Sequence, residues 1–332
     1  MSWEGKSYIP LVDPAALNRD WSVPRVDGVV PLRPLGVGDI LSGTFKAVRF
    51  NAPATVGLTF AVVLVTQIVP LALTSALGYR ALESFDWFDV VDGSFAVGSV
   101  VGLLGLTGLA SVVCQVVSQV FISHAVFQAV TARRPSVAET WRASARRVGP
   151  CLAFVALTVG GVAVADALIA LIAVALVALV GGTSFAAIQA FIVVLVLALV
   201  VVALVLFVRL VFAVPAIVVE KLGPIAAAKR SWRLSRGRFW RTAGLLALSS
   251  LLISLATGTV SGVGSLVSMP LLILGPEAMI ALVIGLAISV LVTLLTTALS
   301  VPLMGSAWTL IYVDARIRQE GLDITLAEEL WS

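Results

Sequence analysis

The stretch Glu220–Arg241, EKLGPIAAAKRSWRLSRGRFWR, lies between two long apolar runs and holds seven of the chain's 22 Lys and Arg residues. Wound as a helix from Pro224, it sets Ile225, Ala228, Trp232 and Phe239 on one stripe. Lys229, Arg230, Arg233 and Arg236 fall on the other faces. Such a helix suits a membrane surface, its apolar side at the acyl boundary and its cations among headgroups and water.

The rest of the chain supplies the membrane. It has 332 residues, 60% hydrophobic and 12% charged, with a mean hydropathy of +1.08. A soluble domain carries about 25% charged residues. Working outward from the opening stretch, the apolar runs exceed the roughly 18 residues that nominate a spanning helix. They are Ala54–Leu77, Ser94–Ala132, Pro150–Val180, Phe185–Val219, residues 240–260 and Pro276–Val313. Pro53 and Pro150 open spans, where a missing N–H costs nothing. Gly258, Gly262, Gly264 and Pro270 argue against one helix reaching Leu274 and for a shorter span followed by an apolar outer segment. Pro302 predicts a kink.

The expected fold is therefore an all-α integral membrane protein with six transmembrane helices arranged as three hairpins. Each hairpin follows a cytoplasmic amphipathic helix. Of the 22 cationic residues, 20 flank the spans on one side; Arg80 lies opposite and Arg209 within a span. The positive-inside rule then places both termini in the cytoplasm, as expected of a multi-pass bacterial plasma-membrane protein. Residues 1–30 lack the apolar run of a signal peptide and read as a disordered cytoplasmic tail. Residues 31–318 form the membrane domain, and 319–332 a second cytoplasmic tail.

An internal repeat organises this pattern. Leu35-Gly36 stands nine residues ahead of Thr44-Phe45-Lys46, counted from Leu35 to Thr44, and Leu222-Gly223 stands the same distance ahead of Ser231-Trp232-Arg233. Thr140-Trp141-Arg142 occupies the matching place before the third span. The three tripeptides are 96 and 91 residues apart, which implies units of about 35–132, 133–219 and 220–318. Phe45, Lys46, Trp141, Arg142, Trp232, Arg233 and Arg236 are the candidate contacts to anionic headgroups at the cytoplasmic face.

Three fragments carry a family resemblance: PLRPLGVGDILSGTFKAVRFNAPA (31–54), EKLGPIAAAKRSWRLSRGRFWR (220–241) and IYVDARIRQEGLDITLA (311–327). With the Gly-Asp-Ile-Leu, Arg-Ser-Trp-Arg-Leu and Glu-Gly-Leu-Asp motifs in order, Pro31–Ala327 resembles an actinobacterial integral membrane family. That family is labelled the glycerophosphoryl diester phosphodiesterase membrane domain. The name implies a membrane domain sometimes joined to a phosphodiesterase barrel with paired histidines and a metal-binding Glu/Asp set. With His124 the only histidine, these residues cannot supply such a barrel.

A charge at the bilayer centre costs about 2.5–3.5 kcal/mol, so intramembrane polar groups are the remaining candidates. Asp166 is near the middle of the third span, with Gln115 and Gln119 at a similar depth on the second, where an Asp–Gln contact is expected. His124 and Gln128 are placed for interhelical hydrogen bonds. Arg209 is placed either to snorkel or to pair with Glu220 or Asp314. Cys114 and Cys151 are expected to stay unpaired, outside any metal or redox pattern. No cofactor, metal or nucleic-acid partner is expected, since the basic residues flank hydrocarbon-length segments. The function this supports is a non-enzymatic scaffold or subunit of a membrane assembly. The alternative is a transporter or lipid-handling protein with Asp166 as coupling group.

Overall fold

The computed structural model describes residues 29–31, 33–65, 94–180, 185–273 and 279–321, and these are helical throughout their ordered elements. The elements are α1 (Val37–Phe50), α2 (Pro53–Val65), α3 (Ser94–Val130), α4 (Val137–Val180), α5 (Phe185–Leu210), α6 (Ala213–Val219), α7 (Pro224–Ser235), α8 (Phe239–Ile273) and α9 (Met279–Glu320). Among the described residues five helices, α3, α4, α5 with α6, α8 and α9, are long and apolar enough to cross a membrane. The expected first span begins as α2, turned 85° from α1. Its continuation to Leu77, like residues 1–28, 181–184 and 322–332, lies outside the described residues.

The ends of these helices follow from local chemistry. Gly36 precedes α1 in an extended conformation, and its N–H donates to Asp39 Oδ2 at 3.0 Å. Gly223 precedes α7 with nearly the same backbone angles, and Pro224 takes the first position, where its lost N–H is harmless. Ser136 and Glu139 form a reciprocal capping box at the start of α4, at 2.9 and 3.2 Å. The left-handed φ of +81° at Gly237 ends the turn after α7 and releases the chain into α8. Phe239 therefore belongs to α8, not to the opening helix.

Two further expectations are corrected. The amphipathic piece before Pro150 is not a separate helix, because α4 runs unbroken from Val137 with Pro150 inside it. The bond lost at Pro150 falls near the polar start of the helix, where other donors are at hand. The glycine-rich stretch does not end the fifth span either, since α8 continues through Gly258–Gly264 and Pro270 to Ile273. In hydrocarbon a broken turn strands backbone groups, which costs more than glycine's weak helix propensity. The Thr257, Thr259, Ser261 and Ser265 hydroxyls bond back to carbonyls of the same helix at 2.8–3.2 Å, so they need no outside partner.

Helix α3 is the central strut. Its apolar window is 56% buried, whereas those of α4 and α5 are 6% buried and turn their side chains outward. Around α3 gather α9, α4, α1 and the short α6, with a core that includes Phe121, Ile122, Phe212, Ile217, Leu310 and Tyr312. Val29 and Val30 are buried in this core, so the N-terminal tail is anchored two residues earlier than its expected end. Helices α8 and α9 pack against each other closely, most tightly at Gly264, where a Cβ would lie 2.4 Å from Val292.

The seam between α3 and α9 is closer still in its consequences. A Cβ on Gly305 would meet Gln119 Oε1 at 2.7 Å and Ile122 at 2.9 Å. Replacing Gly305 by Val should destabilise the fold by about 1–3 kcal/mol through overpacking. Gly258→Ala, which meets nothing within 4 Å, should leave stability unchanged or raise it. Thermal or denaturant unfolding in detergent micelles compares the two variants.

Candidate functional site

The basic end of the helix bundle is built on two carboxylate clusters. Asp314, 3% exposed, lies near the end of α9. Its Oδ1 accepts the Leu35 N–H at 2.8 Å and Arg318 Nε at 2.8 Å, while Oδ2 accepts Arg241 Nη2 at 3.1 Å. Arg241 and Arg318 also donate to the Leu35 carbonyl, at 3.0 and 2.8 Å. One buried acid thus fixes the segment entering α1, the start of α8 and the end of α9. The charged stretch after Val313 continues α9 to Glu320, two residues past the expected end of the membrane domain, and carries this clamp.

The second cluster centres on Arg230 of α7. It bonds Glu220 at 2.8 Å and Glu320 at 2.6 Å, with Arg316 3.2 Å from Glu320. Tyr312 donates its hydroxyl to Glu220 at 2.5 Å. Burial works against the charge on Arg230, but the hydrogen bonds to Glu320 and Glu220 outweigh it and raise its pKa above the ordinary arginine value. Gln319 caps the carboxyl end of α7 through the Leu234 carbonyl at 2.6 Å. α7 is therefore tied to α9 at several points along its length.

Each tripeptide shows the same division of labour. Thr44, Thr140 and Ser231 are buried; the aromatic and basic residues that follow, Phe45/Lys46, Trp141/Arg142 and Trp232/Arg233, are exposed. Arg236 is exposed as well. The faces turned to the protein are Ile40, Gly43, Thr44 and Ala47 on α1, and Ala227, Ser231 and Leu234 on α7, small residues around one large aliphatic side chain each. The stripe of Ile225 and Trp232 faces away from the core. Trp141 also stacks on Phe121 at 5.1 Å, so one of its faces is held by the protein.

Ser231 has a task that the sequence did not disclose. Between α5 and α6 the helix breaks, and Ser231 Oγ accepts the Phe212 N–H at 3.2 Å and donates to the Arg209 carbonyl at 2.7 Å. Arg209 pairs with neither Glu220 nor Asp314, because other arginines already hold those acids. Its guanidinium lies 5.1 Å from the Trp232 ring centre and 5.3 Å from that of Phe239, and among the described residues Nε and Nη1 have no hydrogen-bond partner. The aromatic faces take the place of the expected acid.

Of the intramembrane candidates, Gln115 and Gln119 line one cavity of about 420 Å³ between α3, α4, α5 and α9. Gln119 reaches α9, donating Nε2 to the Gly305 carbonyl at 3.3 Å, and bonds Ser123 at 3.3 Å. Among the described residues its Oε1 has no hydrogen-bond partner, nor does Trp308 Nε1, and both atoms are sealed from solvent. The side chain of Asp166, on α4, lies outside the described residues, and with it the expected Asp–Gln contact. His124 and Gln128 share a separate, smaller recess of about 290 Å³ with Arg133, Arg134 and Glu139. Among the described residues His124 makes no hydrogen bond, and no group of His, Cys, Asp and Glu could hold a metal ion. Cys114 and Cys151 are buried and unpaired.

Removing the clamp is a direct check on its role. Asp314→Ala should cost up to the about 3–5 kcal/mol of a broken buried pair, reduced because Arg241 is half-exposed. Asp314→Asn, which can still accept the Leu35 N–H, should cost less. Both should speed proteolysis near Leu35, read by limited digestion in detergent. Ser231→Ala should cost about 1–3 kcal/mol, because the Phe212 N–H is left buried without an acceptor. Equilibrium unfolding measures that loss.

Residues 183–326 match a family model described as the membrane domain of glycerophosphoryl diester phosphodiesterase. The matched part takes in α5 through α9 and with them Ser231, both carboxylate clusters and two walls of the cavity. No curated protein and no solved structure matches the chain. The family resemblance read from the sequence is thus supported over less than half of its length: residues 183–326 of this chain are similar to the membrane domain of glycerophosphoryl diester phosphodiesterase.

Proposed function

We propose that this is a non-enzymatic polytopic membrane protein whose basic face serves as a scaffold for anionic lipid and for protein partners. By the positive-inside rule that face is cytoplasmic. The observation that carries the reading is the use made of the acids. Among the described residues with described side chains, Asp39 and Glu139 cap helices, while Glu220, Asp314 and Glu320 are bound by arginines. None is left for general acid–base work. The cations left exposed include Arg236 and also Lys46, Arg142 and Arg233, each of which directly follows an exposed aromatic residue, a pairing suited to headgroup depth.

The shared burial pattern of the three tripeptides, and the matching backbone at Gly36 and Gly223, support the threefold repeat. In that arrangement three interfacial helices form a collar around six spans. A second reading, transport or lipid handling, is favoured by the cavity between α3, α4, α5 and α9, with Asp166 as the coupling residue if ions move.

Reversing charge at Lys46, Arg142, Arg233 and Arg236 together should abolish co-purification of partner proteins from native membranes in mild detergent. If the wild-type chain is recovered alone at every salt concentration, the scaffold reading fails. Proton and substrate flux in proteoliposomes, wild type against Asp166→Asn, tests the second reading; equal flux in the two would remove Asp166 from it.

A further inference from the structure

The recess beside the end of α3 brings both signs of charge into one small space. It measures about 290 Å³ and is lined by His124 and Gln128 of α3, Arg133 and Arg134 of the connecting segment, and Glu139 of α4. His124 and Gln128 are half-buried, whereas Arg133, Arg134 and Glu139 are exposed, so the polar wall opens at the surface.

The backbone holds this arrangement in place. α3 ends with the Ala132 N–H on the Ala129 carbonyl at 3.2 Å and the Arg133 N–H on the Gln128 carbonyl at 2.9 Å, a Schellman turn. Its left-handed position, which glycine usually fills, is held by Ala132 at a φ of +57°. That turn carries Arg133 back beside the last turns of α3. Asn51 Nδ2 then donates to the Pro135 carbonyl at 2.8 Å, and the Arg134 guanidinium lies 4.3 Å from the Phe50 ring centre. Both contacts tie the segment to the corner between α1 and α2. On the other side the Ser136–Glu139 capping box fixes the first turn of α4.

The fold does not use up the charges placed here. Among the described residues neither Arg133 nor Arg134 pairs with an acid, and Glu139 meets no cation although it lines the same recess. Glu139 engages Oε2 with the Ser136 N–H, and its Oε1 has no partner among the described residues. Elsewhere on the basic face Arg230, Arg241, Arg316 and Arg318 are bound to acids. A bare anion would satisfy the two guanidinium groups but face the Glu139 carboxylate, and a bare cation would do the reverse. An occupant with a phosphate at one end and a primary ammonium at the other meets both. The phosphate accepts from the guanidinium groups, and the ammonium donates to Glu139 Oε1. A quaternary ammonium has no N–H to give.

We propose that this recess binds a phosphoethanolamine group, its phosphate against Arg133 and Arg134 and its ammonium against Glu139, with His124 and Gln128 as neutral partners. The proposal goes beyond the scaffold reading and needs no protein partner, so a chain recovered alone leaves it standing.

The delipidated full chain in dodecyl maltoside, titrated with dioleoyl lipids and read by native mass spectrometry, provides the test. Phosphatidylethanolamine should bind about tenfold more tightly than phosphatidylglycerol or phosphatidylcholine, the worth of one hydrogen bond to a charged group. Arg133→Gln combined with Arg134→Gln should weaken that binding about tenfold or more. Arg233→Gln combined with Arg236→Gln, the same loss of charge on α7, should not. Glu139→Gln keeps an acceptor for the Ser136 N–H, so α4 stays capped, yet it should erase the preference for phosphatidylethanolamine over phosphatidylglycerol. Excess glycerophosphoethanolamine, which is water-soluble, separates two sources of the same group. Displacement of the lipid supports the site and assigns it to a soluble phosphodiester; retention of the lipid supports it as a headgroup site. Equal binding of the three lipids would overturn the proposal. So would an equal loss from the two arginine pairs, or an unchanged lipid preference in Glu139→Gln.

Discussion

A buried carboxylate at the end of α9 sets the geometry of the basic face. Asp314 is surrounded by a backbone N–H and two guanidinium groups drawn from three parts of the chain. An isolated carboxylate at 3% exposure would be prohibitively costly. With both oxygens engaged the cost is met, and the same contacts hold Leu35 against the bundle. Leu35 in turn fixes where α1 begins, and Arg241 fixes the base of the α8–α9 hairpin. The Arg230 cluster repeats this logic one helix away, joining the end of α6 to α7 and α9.

The short helices α1 and α7 each turn one side to the protein and leave the other exposed. Their protein-facing sides set one large aliphatic residue, Ile40 or Leu234, among small ones that allow close approach to the bundle. Their large rings point elsewhere. Phe45, Ile225 and Trp232 are exposed, and on the proposed reading the acyl boundary covers them. The hydroxyl at the start of each tripeptide is turned inward, and at Ser231 it repairs the helix break at Phe212. That break lets α6 turn in beneath α3 while α5 stays outside. The separation of α5 from the core, together with the sparse packing of α4, leaves the cavity between them.

Much of this was legible in the sequence. Hydrocarbon-length runs and the one-sided distribution of cations have direct physical causes, so they could be read without coordinates. The family resemblance was legible too, and its strongest fragment, Arg230–Leu234, falls within the matched residues. Helix continuity was less so. Gly258–Gly264 and Pro150 read as interruptions on rules learned from helices in water, whereas hydrocarbon penalises every unpaired backbone group. Arg209 reads as snorkelling or pairing with Glu220 or Asp314; other arginines hold both acids, and its guanidinium lies over Trp232 and Phe239.

The sequence by itself determined that this chain is a bundle of membrane-length helices with a cationic face, because composition and periodicity act locally along the chain. Only the tertiary structure decided which charges hold the fold and which stay free. Asp314 and Leu35 are separated by 279 residues and meet at 2.8 Å. Gln119 and Trp308 face one cavity from different helices. The opening stretch shows the same limit: its helix was visible in the pattern, but the packed side is the small-residue face with Ser231 rather than the stripe with Trp232. Which face is buried depends on the neighbours a helix meets, and those neighbours are set by contacts distant in sequence.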